Sequence, residues 1–136
     1  MGRSILAVIS GYLAMFIGVA VGLTILLTSF PDAFPEQPGS PYDGPAYVLV
    51  LEVVISLLAA LGGGYACALV ARRKEVQHAG VLVGLMVVLG VVSAIGEAGL
   101  KPLWSSLTIL ALPPLAVLYG AVLRRRQRER TALADR

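Results

Sequence analysis

Charged side chains are missing from four long stretches of the chain, residues 4–31, 53–71, 79–96 and 102–123, and each stretch is continuously apolar rather than alternating. A helix rises about 1.5 Å per residue, so roughly 20 apolar residues cross a hydrocarbon core about 30 Å thick. The pattern predicts four membrane-spanning helices over residues 4–28, 46–71, 78–97 and 103–123, in a single integral membrane domain of residues 1–136. β-Barrel strands are excluded, because their lipid-facing and lumen-facing residues alternate. A water-soluble bundle fits poorly, since four helices without polar faces need more interior than a small domain has.

The polar positions between the runs set the threading. Ten of the eleven Lys and Arg residues precede the first span, separate the second from the third, or follow the fourth: Arg3, then Arg72, Arg73 and Lys74, then Arg124, Arg125, Arg126, Arg128, Arg130 and Arg136. Only Lys101 lies on the other side. Basic flanks stay cytoplasmic during insertion, so both termini are expected inside. The fold class expected is all-α, an antiparallel four-helix transmembrane bundle with N-in/C-in topology. The outer connector, residues 29–45, carries Pro31, Pro35, Pro38, Pro41 and Pro45 with Asp32, Glu36 and Asp43. Proline at that spacing blocks a helix and favours extended or turn structure. Tyr42, Tyr47 and Trp104 fall where interfacial aromatics belong. The second outer connection is short, which makes spans three and four antiparallel neighbours.

Composition agrees. Hydrophobic residues make up 57% and charged residues 14%, against about half and a quarter in soluble domains. The sequence pI of about 9.4 follows from the cytoplasmic arginines, so no nucleic-acid partner is implied. The expected partners are the lipid bilayer and either further copies of the chain or a larger membrane complex. The first span exceeds the ~7–15 apolar residues of a signal-peptide core, and is expected to be retained.

Candidate chemistry concentrates in GGGYACALVARRKEVQHAG, residues 62–80. A phosphate-binding loop needs a Gly, a four-residue gap, then Gly-Lys-Ser/Thr after a strand; here the glycines run into Tyr65 and Ala66 inside an apolar helix. Cys67 is the only cysteine and His78 the only histidine. Some 16 Å of helical rise separates them along the chain, and no oxyanion donor accompanies them, so a catalytic pair is not expected. One cysteine also excludes an internal disulfide and a multi-cysteine metal site. No catalytic residue, metal site or cofactor is expected, and the chain is read as not an enzyme.

Two acids stand out. Glu52 lies about six residues into span two, roughly 9 Å below its outer edge, and Glu97 closes span three. A carboxylate within a bilayer faces the bundle, finds a partner or takes up a proton. Lys101, four residues after Glu97, is the natural partner of either. At helical spacing Ser56 joins the Glu52 stripe and Ser93 the Glu97 stripe. These five residues, Glu52, Ser56, Ser93, Glu97 and Lys101, are the candidate ion or proton site. Small-residue stripes are expected to hold the helices together, because apolar side chains gain little by leaving lipid for one another. The glycines assigned to packing are Gly18, Gly22, Gly63, Gly80, Gly84 and Gly120, with a kink expected at Pro113-Pro114.

The segments GGGYACALVARR, HAGVLVG and KPLWSSLTILALPPLAVLYGAVLRR resemble a recurring pattern of small uncharacterised four-helix bacterial integral membrane proteins. The resemblance implies that fold and a location in the bacterial plasma (inner) membrane, and brings no activity with it. The sequence alone favours an accessory or structural subunit, or a self-associating membrane component. The alternative is a small proton- or cation-linked transporter subunit using Glu52 and Glu97.

Overall fold

A computed structural model of the chain describes residues 2–35, 39–71 and 75–134. Arg72, Arg73 and Lys74, together with Glu36, Pro38 and Arg136, lie outside the described residues. Four helices follow one another: α1 Gly2–Ser29, α2 Ala46–Ala71, α3 Glu75–Gly96 and α4 Leu103–Ala134. A short 3-10 turn, Pro31–Ala33, interrupts the proline-rich connector. No strand is present among the described residues. Each helix contains a stretch long and apolar enough to cross a membrane: Ser4–Ser29, Ala46–Ala71, Val76–Gly96 and Leu103–Leu133. The protein is therefore an all-α bundle of membrane-protein character.

Two helix ends differ from the hydropathy pattern by three residues or more. α3 starts at Glu75 rather than residue 78, and α4 continues past residue 123 to Ala134. Arg, Gln, Glu, Leu and Ala are good helix formers in water. The end of an apolar span therefore need not end the helix. α4 also runs unbroken through Pro113 and Pro114, both buried.

The core is made of small residues. Ala7, Ala60, Ala68, Ala79 and Ala121 are buried with Cys67, Leu82 and Val117, whereas many large apolar side chains face outward, among them Ile5, Phe16, Ile17, Val88, Val92 and Ile95. That inversion suits lipid, where close backbone approach and van der Waals contact hold helices together and large apolar groups are already well solvated. Hydroxyls on these helices bond back to their own backbone, Thr24 Oγ1 to the Ala20 carbonyl at 2.8 Å and Thr108 Oγ1 to that of Trp104 at 2.6 Å. Such groups need no water.

α2 is central, packing extensively on both α1 and α4. Along α1, Gly11 lies against Cys67, Gly18 against Ala59 and Gly22 against Ile55. On the other side of α2, Gly64 meets the Val117 backbone and Gly120 the Leu61 carbonyl, so a Cβ at either position would overlap main chain. Of the six glycines assigned to packing, Gly18, Gly22, Gly63 and Gly120 meet a neighbouring helix, whereas Gly80 and Gly84 have nothing within 4 Å. α3 turns Ala79 and Leu82 inward instead. Spacing identifies a stripe; the direction it faces depends on the rotation of the helix.

Candidate functional site

The site is built where the α1–α2 connector meets the α3–α4 turn. The Tyr42 N–H donates to the Leu100 carbonyl at 2.7 Å, tying the proline-rich connector to the turn between α3 and α4. That turn is closed by Glu97 N–H to Ser93 O and Leu100 N–H to Glu97 O, both 2.9 Å. Gly99 sits in it at φ +84°, a conformation that favours glycine. The turn delivers Lys101 back toward α2, where Nζ lies 2.7 Å from Glu52 Oε1 and 3.7 Å from Glu97 Oε2. Ser93 Oγ donates to Glu97 Oε1 at 3.0 Å.

The two halves of this triad are unequal. The Glu52 and Lys101 side chains are only 16% and 26% exposed and form a short charge-assisted hydrogen bond. Glu97 is 43% exposed and farther away, so water screens its share of the attraction. Nearby, burial pushes the Tyr42 phenol above its ordinary pKa, and the negative charge of Glu52 adds to that rise. Its hydroxyl donates to the Pro45 carbonyl at 2.9 Å.

Beneath the triad lies a cavity of about 340 Å³ to which all four helices contribute. Glu52 and Ser56 of α2, Ser93 of α3, Glu97 and Lys101 all line it. The candidate site residues, scattered over 50 positions of sequence, thus share one space. The opposite walls are apolar: Tyr12, Met15 and Val19 of α1, and Met86, Leu89 and Leu110 of α3 and α4. Ser106, Ile109 and Pro113 complete the α4 side. Sequence reasoning missed Tyr12, Met15 and Ser106. Ser106 carried a weak signal as a polar group at the outer end of span four. Tyr12 and Met15 carried none, since only the rotation of α1 turns them inward.

Pro113 and Pro114 add a backbone feature. A proline has no N–H, so neither can donate to the carbonyl four residues earlier. Those carbonyls belong to Ile109 and Leu110, both residues of the cavity wall. The Ser105 hydroxyl, fully buried close by in sequence, has no hydrogen-bond partner among the described residues.

The opposite end of the bundle offers less. Cys67 is buried in the small-residue core. His78 lines a separate, shallower depression with Ser4 and Gln77. Tyr65 donates its hydroxyl to Gln127 Oε1 at 2.9 Å and lies 5.9 Å beneath the Arg124 guanidinium, which fastens α2 to the basic end of α4. No group of three or more His, Cys, Asp or Glu among the described residues is placed to hold a metal ion.

No protein-family model matches the chain, and neither a curated protein nor a solved structure is significantly similar to it. The likeness to small four-helix bacterial membrane proteins therefore rests on the quoted segments alone.

Proposed function

We propose that the chain is a four-span, antiparallel N-in/C-in protein of the bacterial inner membrane that binds a small cation or proton in its outer half, as a carrier subunit and not as an enzyme. The N-in/C-in part rests on the distribution of the arginines, and the antiparallel part on the α1–α2 contacts, whose positions rise in one helix as they fall in the other. One observation carries the functional part. The polar groups of the outer half line one side of a cavity of about 340 Å³, where a purely structural bundle would bury them in packed contact. A mostly apolar cavity with a few convergent polar groups is the usual form of a small-ligand site. This reverses the order that the sequence alone favours.

The test is ion flux in proteoliposomes under an imposed proton or sodium gradient. Wild type dissipates the gradient faster than protein-free vesicles, and Glu52→Gln loses most of that rate. Equal leak in all three preparations rejects the carrier reading.

The accessory or self-associating role is the second reading, and Gly80 and Gly84 favour it. Two glycines one turn apart with nothing against them, beside exposed Val81 and Val88, leave a smooth face on which another helix can pack.

A further inference from the structure

We infer that the outer cavity takes an amphipathic organic cation, whose ammonium group replaces that of Lys101 at Glu52. The inference rests on the cation-site reading above and narrows its occupant.

The first argument is charge. Glu52, Glu97 and Lys101 line the same space and carry a formal charge of one negative. With Lys101 held between the two carboxylates at 2.7 and 3.7 Å, the site is one positive charge short of neutrality. An incoming cation supplies that charge. It pairs with Glu52 while Lys101 shifts to Glu97, and each carboxylate then has its own partner. Lys101 is suited to such a shift, because it stands on a turn rather than a helix and its ammonium rides a flexible stem. An anion would instead have to enter beside two carboxylates with a single ammonium already engaged.

The second argument is hydrogen-bonding character. The hydroxyls of Ser56, Ser93 and Ser106 can accept, and the Ile109 and Leu110 carbonyls lack their usual helical donors because of Pro113 and Pro114. Carbonyls left without a donor by a proline inside a helix are suited to cations at membrane depth, where water does not satisfy them. The wall is therefore richer in acceptors than in donors.

The third argument is size and lining. About 340 Å³ is far more than a bare metal ion fills, given a water's share of roughly 30 Å³. The lower walls are apolar and polarizable. Tyr12 offers an aromatic ring, and Met15 and Met86 offer thioethers that adapt to an irregular apolar body. A hydrated inorganic ion leaves that half of the cavity unmatched; an alkylammonium uses both halves.

The experiment measures equilibrium binding of hexylammonium to the full-length protein in lipid nanodiscs at neutral pH, with protein-free nanodiscs as the lipid-partition control and hexyl sulfate as the anionic counterpart. The expected result is saturable binding of the cation at one site per chain and none of the sulfate. Glu52→Gln weakens it by about tenfold or more. Lys101→Met strengthens it severalfold, because the resident competitor for Glu52 is gone. Lys101→Gln serves the same purpose if the Met variant fails to give a monodisperse, helical protein. Weaker binding in the lysine variant that folds overturns the exchange, and no saturable binding by wild type overturns the ligand class. Proton or sodium flux without alkylammonium binding leaves the carrier reading standing and removes this inference. Alkylammonium binding without flux does the opposite.

Discussion

Lys101 is the residue on which the triad end of the bundle depends. Among the described residues, its ammonium is the cation that pairs with Glu52, a carboxylate largely withdrawn from water. Removing one partner of a withdrawn pair strands the other, and that costs more than the pair itself contributes. Lys101→Met is therefore expected to lower stability by about 1–3 kcal/mol, and adding Glu52→Gln recovers part of the loss. A double-mutant cycle from denaturant titration in mixed micelles checks this, and strictly additive losses would contradict it. Tyr42 gives the pH counterpart. Its folded pKa lies above the ordinary phenol value, chiefly through burial, so the fold favours the protonated ring. That contribution is complete below the unfolded value of about 10 and is lost as pH climbs through the raised folded value. Tyr42→Phe removes this alkaline step from the stability profile. Its cost at neutral pH is about 0.5–1.5 kcal/mol, the worth of the hydrogen bond to Pro45. At this scale the sequence was informative because charges are so sparse: Glu52, Glu97 and Lys101 stand out from apolar surroundings. Met15 and Tyr12 did not, since an apolar residue looks the same whether it faces lipid or a cavity.

At the scale of the helix, close approach separates glycines that resemble one another in sequence. A methyl group at Gly64 would overlap the Val117 backbone, whereas one at Gly80 would meet nothing. Gly64→Ala should therefore destabilise by about 1–3 kcal/mol, the cost of overpacking. Gly80→Ala should be neutral or gain up to about 1 kcal/mol from helix propensity. The same micelle titration distinguishes them, and equal losses would mean that Gly80 is covered in the assembled protein. Four spans could be read directly, because long charge-free runs have few other uses. Helix ends could not. Glu75 and the stretch after residue 123 are polar, so hydropathy stops there while backbone hydrogen bonding continues. Which face each helix presents was likewise not available, because nearly every face is apolar and the stripes differ only by small residues.

For the whole molecule, the threading has a direct check. Cys67 is the only cysteine and is buried, so the native chain is a quiet background for thiol labelling. With both ends inside, Asp43→Cys should react with a membrane-impermeant maleimide in intact cells, and Arg130→Cys only after permeabilisation. Labelling of both in intact cells would refute the shared cytoplasmic placement of the termini. The cavity is a whole-molecule property as well. All four helices line it, and no local stretch of sequence encodes that convergence.

The unbroken course of α4 has one more consequence. A helix of 32 residues, at about 1.5 Å each, is roughly 48 Å long, well beyond a hydrocarbon thickness of about 30 Å. In the proposed topology its arginine-bearing end stands among the headgroups and in the water beyond them, where anionic lipid would hold it at a fixed level. The rod then works as a draught mark. A thinner or thicker bilayer cannot slide past that end freely, so the mismatch is taken up at the opposite leaflet, where the triad sits.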